Sequence, residues 1–426
     1  MRIASALVVL SLVFGGVVGC DDSGEIPTGG STGAGASTSA SSSTSSVTTT
    51  SGSTSSGSTS TGMVSSLDDL LARLRANRDL TLQEESDKGG WPVLVTEGRV
   101  VVATNSSLQI AGDFNAWTPA ALTADQGFGY AILPDVAGAK YKLVDGGTYG
   151  PDPWARAYAY DQNGEITQIA PTTPHLDRYF EKGDAKNAPR TVRVWVPEGG
   201  ATSVLYAEDG QNLFDPDAFF GGWKLDQAAP AHMMIVAIDN TADRFQEYTQ
   251  VTDQIQGQTI GGEADEYAAF LDGVVRPLVA THYGEPTKRG LIGSSLGGLV
   301  SLEIAYAYPS VYAFAASMSG TLGWGSIALS NPTIIQKYVA KGHQPTAIYL
   351  DSGGGGTCAD TDGDGTMDDG DSTDNFCETN QMRDALAGLG YQFDVDLFHW
   401  HEAGATHDEA AWAARVFRPL QIFDGL

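Results

Sequence analysis

Apolar positions along the chain fall into three regimes. Residues 3–19 are almost continuously apolar and small, and 21–66 are Ser, Thr and Gly with almost nothing to bury. From 67 onward the apolar residues recur with the periods of regular structure. Leu67, Leu70, Leu71 and Leu74 share one face of a short helix that Ser66 can cap. The period then shortens to that of strands, at 91–95, 100–103, 108–112, 130–133 and 141–144. Glu97-Gly98, Asp125-Gln126-Gly127 and Asp145-Gly146-Gly147 punctuate them, which predicts a small all-β sandwich. A proline-containing connector, 170–189, leads to a different pattern. Strands are expected there at 192–196, 203–207, 233–238, 291–293, 313–317, 347–350 and 393–400, and helices at 263–283, 296–308, 380–389 and 408–417. Apolar strands interleaved with helices predict an α/β fold whose mostly parallel sheet is covered on both faces. The expected order is a leader (1–19), a tether (20–66), a short helix and connector (67–90), a sandwich (91–175) and an α/β domain (176–426).

The α/β domain is organised around Gly293-Ser294-Ser295-Leu296-Gly297-Gly298. A buried strand precedes it and a helix follows, the context that makes a G-x-S-x-G match a nucleophile elbow. Ser295 is therefore the candidate nucleophile, on an α/β-hydrolase sheet. The glycines let neighbouring backbone pass where a Cβ would clash. The helix N-terminus behind Ser295 favours a developing oxyanion. Of seven histidines, His399, His401 and His407 lie at or after the last predicted strand. His407 precedes the helix 408–417 at the carboxyl edge of that strand, so it is the expected base, with His401 the alternative. One oxyanion-hole N–H is expected from Leu296, the other from the loop after an early strand, Glu208-Asp209-Gly210-Gln211-Asn212.

The ends of the composition matter next. Met1-Arg2 followed by 3–19 reads as a secretory signal, too short for a comfortable membrane span. Val17-Val18-Gly19-Cys20 resembles a bacterial lipobox, with Val in place of the more usual Leu. That resemblance implies cleavage before Cys20, lipidation of its sulfur and a cell-envelope location, anchored or else secreted. The tether would then reach roughly 35 Å. A formal net charge of -28, from 52 acidic and 24 basic residues, argues against nucleic acid or anionic lipid surfaces as partners, leaving the lipid anchor as the membrane contact. Cys358 and Cys377 remain as a pair that an oxidising compartment would let close, contributing roughly 3 kcal/mol.

Two resemblances sharpen this reading. Ile110-Ala111-Gly112-Asp113-Phe114-Asn115-Ala116-Trp117, with Tyr141-Lys142-Leu143-Val144-Asp145-Gly146 and Asp152-Pro153, resembles the glycogen-binding (isoamylase N-terminal) family of early-set immunoglobulin-like domains. Trp117 and Trp154 can stack on a sugar ring or serve equally as packing, and the sandwich is expected as a packed partner of the hydrolase domain. Tyr206, Asp209-Gly210-Gln211-Asn212-Leu213-Phe214-Asp215, the elbow, Ile238-Asp239-Asn240, Arg244, Glu247-Tyr248 and the run His407, Trp412, Arg415 look like the esterase D/enterochelin esterase family. That family includes feruloyl and acetyl-xylan esterases and mycolyltransferases. The resemblance implies serine esterase chemistry on a small-molecule or carbohydrate-linked ester, with Ser295 as nucleophile, His407 as base and the Gln211 N–H in the oxyanion hole. No cofactor is expected for catalysis. Trp223 and Trp324 fall where such enzymes line their cleft, although buried packing fits both. Acyl transfer, or a binding protein on a decayed hydrolase scaffold, are the competing readings.

The chain departs from that family at the triad acid, where an insertion, 353–377, follows the strand 347–350. Within it, residues 360–371 carry oxygen donors at loop positions 1, 3, 5, 9 and 12 and Gly at 6, the spacing of a calcium loop. Asp360, Asp362, Asp364, Thr366 and Asp371 are the candidate ligands of a structural Ca²⁺, with Asp in place of the usual Glu at position 12. Asp351, Asp360 and Asp374 all follow the strand. Asp351 sits too early to cross toward the last loop, and Asp360 is committed to the cation. Asp374 lies six positions before the helix expected at Asn380, close to the acid-to-helix spacing that the resemblance to the esterase family implies, and is therefore the expected acid.

Overall fold

Among the described residues the chain forms one large sheet, one four-stranded sheet and two two-stranded ribbons. A computed structural model describes residues 65–369 and 374–426. The leader, the tether, Cys20 and Asp371 lie outside the described residues. Six parallel strands form the hydrolase sheet, in spatial order Leu397–His401, Ala347–Ser352, Phe314–Met318, Lys288–Ser294, Ser203–Glu208 and Met233–Ile238. Ser203–Glu208, Met233–Ile238, Phe314–Met318 and Ala347–Ser352 are buried at every residue, as continuous apolar runs must be when both faces are covered. Parallel pairing aligns all six carboxyl ends, where α/β sheets gather their sites. This is the α/β-hydrolase arrangement.

Beyond Met233–Ile238 the sheet turns antiparallel and does not stop at the expected connector. Arg190–Val196, His175–Lys182 and Ala157–Asp161 follow in sequence, so a single 14-stranded sheet runs from the hydrolase into the sandwich. The strand His175–Lys182 was hidden within 170–189 because it buries charge. Arg178 is buried yet satisfied, donating to the carbonyls of Ala155 (3.0 Å) and Asp152 (2.8 Å) and pairing with Glu165. Asp177 accepts from the Tyr283 hydroxyl at 2.6 Å.

The second sheet orders Val93–Val95, Gly98–Ala103, Phe128–Leu133 and Thr123–Asp125. Alternation along Gly98–Ala103 sends Val101 and Ala103 toward Ile110, Tyr141 and Leu143 between the sheets. Val100 and Val102 point the other way, onto Leu70, Leu71, Leu74 and Leu82. Those leucines belong to two helices, Leu67–Ala76 and Arg78–Lys88, which explains why an outer face can be so apolar. Three further boundaries differ from expectation. The helix 263–283 is continuous but carries a π turn at Leu271–Val275. The strand expected at 393–400 shrinks to Leu397–His401, because Asp394 is left-handed (φ 61°) and leaves Phe393 and Val395 exposed on a turn. The helix expected at Asn380 starts at Phe376, since Cys377, Glu378 and Thr379 are buried and complete a first turn. Among the described residues no helix is long and apolar enough to cross a membrane.

Candidate active site

The strand Lys288–Ser294 delivers Ser295 to the carboxyl edge, and the helix Leu296–Ala307 departs from it. Ser295 adopts φ 55°, ψ -124°, a region that costs an L-residue about 1–3 kcal/mol and persists where the surroundings enforce it. They do so through two hydrogen bonds. Its N–H donates to the Met318 carbonyl (3.0 Å), and its carbonyl accepts from the Thr321 N–H (3.2 Å). A Cβ on Gly293 would lie 2.4 Å from the Gly297 carbonyl carbon, so the elbow closes only with glycine there. The Ser295 Oγ is 3.4 Å from the Thr321 Oγ1.

Ser203–Glu208 lies beside the elbow strand, with Ala207 opposite Ile292. The turn Gly210–Asn212 therefore opens next to Ser295's edge of the sheet. Asp209, itself left-handed at φ 61°, starts that turn. Arg244 grips its carboxylate with two hydrogen bonds, 2.7 and 2.8 Å, and Asn240 adds one of 2.6 Å. Arg244 and Asn240 were legible only as markers of the resemblance; here they are the brace of the turn that carries Gln211. Among the described residues the N–H groups of Gln211 and Leu296 donate to no backbone carbonyl.

His407 lies between the last strand and the helix Glu409–Arg415, which Asp408 caps through the Ala411 N–H at 2.9 Å. Its Nδ1 is 2.9 Å from Asp374 Oδ1. Its Nε2 is buried and, among the described residues, has no hydrogen-bond partner. The Trp412 ring stands edge-on to the imidazole at 5.0 Å. Asp374 is buried, accepts from the Gly353 N–H, and lies 3.3 Å from Arg415 Nη2. Gly353 is where the insertion leaves the sheet, and Asp374 is where it returns. A Cβ on Gly353 would sit 2.6 Å from Asp374 Oδ2, so glycine is what lets the two ends meet.

The other candidates go elsewhere. His401 Nε2 is 3.3 Å from the Gly354 carbonyl, and burial, together with the nearby Arg383, pulls His399 down to about 4. Asp351 pairs with Arg415 at 3.0 Å. Asp360 lies in the exposed loop, where its carboxylate accepts from the N–H groups of Gly363 (2.7 Å), Asp364 and Gly365. Trp324 is enclosed, its Nε1 donating to the Val251 carbonyl at 2.7 Å, which fits the packing alternative for it rather than the cleft wall. Trp223 is also buried, against Trp412 at 6.1 Å, one ring removed from His407.

The insertion is closed by a disulfide between Cys358 and Cys377. Carboxylate oxygens of Asp360, Asp362 and Asp364 lie within 4.8 Å of one another. Three hard oxygens on a loop turned by its own Asx hydrogen bonds fit a calcium ion. Thr366 is buried beside them. In the sandwich, an open cleft of about 620 Å³ is lined by Trp117, Tyr149, Lys142, Asp113 and Asn163 among others. Left-handed Ala116 and Trp117 set the indole there, and its Nε1 donates to Asp113 at 3.0 Å. Trp154 is separate from this cleft, half-buried and edge-on to Phe180 at 6.4 Å.

Residues 184–421 match the family model described as putative esterase. The uncharacterized protein YbbA of Bacillus subtilis (strain 168) is 25% identical over 136 residues, which are 31% of this chain and 54% of that protein. The chain thus spans about half the length of this curated relative. Among solved structures, an IroE-like serine hydrolase from Shewanella oneidensis is 18% identical, with a TM-score of 0.43, over 59% of this chain and 78% of its own. The enterochelin esterase of Shigella flexneri is 13% identical, with a TM-score of 0.44, over 76% of this chain and 92% of its own. Because the family match covers more than half of the chain and includes the elbow, the turn after Ser203–Glu208 and the loop of His407, this protein belongs to the putative esterase family.

Proposed function

We propose that the protein cleaves its ester through an acyl-enzyme on Ser295. His407 Nε2 takes the Ser295 proton as Oγ attacks the ester carbonyl, and Asp374 holds the imidazole through Nδ1. The N–H groups of Leu296 and Gln211 receive the oxyanion. The alcohol leaves with the proton from His407, and water, activated by the same base, releases the acid. The observation that carries this reading is a strained serine at the carboxyl edge of the sheet together with a half-buried histidine whose one nitrogen meets a carboxylate while the other, among the described residues, has no partner. The substrate is an extracytoplasmic ester of the siderophore, feruloyl or acetyl-sugar kind; the signal-like leader and its Cys20 support an enzyme of the cell envelope, anchored through Cys20 or else secreted. Hydrolysis of a panel of such esters by the purified chain tests the class; transfer to an added sugar alcohol without net hydrolysis would favour the acyltransferase reading.

A second reading concerns the sandwich. The cleft at Trp117 pairs exposed aromatic surface with polar side chains, which suits a sugar ring and favours a carbohydrate-linked ester. The full-length protein is expected to be retained on insoluble glycogen, starch or xylan, and Trp117→Ala to be released without loss of p-nitrophenyl ester hydrolysis. Equal passage of both proteins would return the sandwich to a packing role.

For the insertion, Asp360, Asp362 and Asp364 would hold Ca²⁺, which supplies charge neutralisation to the loop and no catalytic step. With affinity about 10⁻⁴–10⁻³ M, as in extracellular modules, calcium at ten times its Kd adds about 1.4 kcal/mol. Chelation is then expected to lower Tm by about 2 °C. Asp362→Asn should lose that calcium dependence while turnover is largely retained, and a Tm indifferent to calcium in the parent protein overturns the site.

A further inference from the structure

The carboxylate that meets His407 is itself gripped, by a group that no step of the proposed hydrolysis uses. Arg415 ends the helix Glu409–Arg415 and is 2% exposed. Its Nε donates to Asp351 Oδ1 at 3.0 Å, and its Nη2 to Ser319 Oγ at 2.6 Å and toward Asp374 Oδ2 at 3.3 Å. Ser319 gathers the rest of the site. Its Oγ also accepts from Trp412 Nε1 (3.0 Å), its carbonyl accepts from Asn375 Nδ2 (2.8 Å), and its N–H donates to the Asp351 carbonyl (2.8 Å). To make all four bonds the serine holds φ at 48°, a left-handed value that a non-glycine residue keeps only under constraint. One guanidinium therefore faces two fully buried carboxylates, and one serine ties the helix of the base to the neighbour of the acid.

We infer that Arg415 is a positioning residue for the triad acid: its planar fork, locked by Asp351 and Ser319, balances the charge of Asp374 and aims its carboxylate at His407 Nδ1. This rests on the reading of Asp374 and His407 as acid and base. Geometry explains why arginine is required. A guanidinium can meet two carboxylates and a hydroxyl in one plane, whereas an ammonium is a single point of charge. Asp351 is the other half of the device. Tyr349 donates to its Oδ2 at 3.0 Å, and Arg418 adds a nearby cation on the Tyr349 side. Burial pushes Asp351 up to about 6 even though Arg415 opposes the shift. The pair is thus held by mutual need, and Asp351 anchors the fork rather than serving the histidine.

Removing Arg415 alone leaves two buried carboxylates uncompensated and invites misfolding. The test is therefore the double variant Arg415→Met/Asp351→Leu, which deletes the pair together, alongside Arg415→Lys and Asp374→Asn. With the fold verified by Tm and circular dichroism, the double variant is expected to lose about 10- to 100-fold in kcat with KM within about twofold, the signature of an interaction made in the transition state. The acidic limb of its kcat/KM profile should move to higher pH, because the dyad has lost its nearest cation. Arg415→Lys keeps the charge and should leave that limb in place while kcat falls about tenfold. A double variant or a lysine variant with kcat within about twofold of the parent overturns the inference. If Asp374→Asn is inactive in the same experiment, only the role of Arg415 fails; if Asp374→Asn is fully active, the acid itself was misassigned.

Discussion

Ser295→Ala is expected to abolish labelling by a fluorophosphonate probe and to lower hydrolysis of a short p-nitrophenyl ester by about 10⁶-fold, the scale seen when a triad nucleophile is lost. The elbow is the reason for the size of the effect. Ser295 is held at φ 55° by hydrogen bonds from both sides, and its Oγ lies 3.4 Å from the Thr321 hydroxyl. A residual rate of about 10³–10⁴ over water should survive, because the oxyanion N–H groups and substrate binding remain. His407→Ala should fall by a similar amount, since a nucleophile without its base is nearly as inert. His401→Ala should do far less, because its ring contacts the Gly354 carbonyl and Phe376 rather than a carboxylate. Unchanged hydrolysis in Ser295→Ala would sink the acyl-enzyme reading, and an inactive His401→Ala beside an active His407→Ala would reassign the base.

Asp374→Asn is expected to cut turnover by up to about 10⁴-fold with the fold intact. An amide facing His407 Nδ1 at 2.9 Å can present its NH₂ where the imidazole N–H must donate, which favours the wrong tautomer. The Gly353 N–H and Arg415 still find an oxygen, so the local structure should hold. The contrast is with Asp360→Asn, whose carboxylate serves the N–H groups of its own exposed loop. That variant should weaken the calcium effect and leave kcat near the parent value. If Asp360→Asn is the inactive one, the loop supplies the acid and the contact of Asp374 with His407 has another purpose.

Much of this was legible in the chain because it is local. An apolar run ending in Gly293-Ser294-Ser295-Leu296-Gly297 and a helix beyond it describe an elbow whatever surrounds them. The position of His407 before a helix at the end of the last strand is of the same kind. Strand boundaries were lost where charge was buried, as with Arg178 in His175–Lys182, because hydropathy cannot see that a guanidinium will find two carbonyls and a carboxylate. The start of the helix at Phe376 was missed for a related reason. Its first turn is completed by burial of Cys377, Glu378 and Thr379 rather than by a capping pattern.

The amino-acid sequence thus predicted the α/β sheet and singled out Ser295, His407 with His401 as the alternative, and the two cysteines as candidates. Only the tertiary structure decided what stands next to them. It carried one sheet through the expected connector, enclosed Trp324, separated Trp154 from the cleft of Trp117, and brought Asp374 back to Gly353 across the insertion. It also gathered Arg415, Asp351 and Ser319 behind the acid, residues whose partners lie 41 to 96 positions away in the chain. The physical reason is range: a period records which face a residue presents, whereas a carboxylate's partner depends on where a closed excursion of the chain returns.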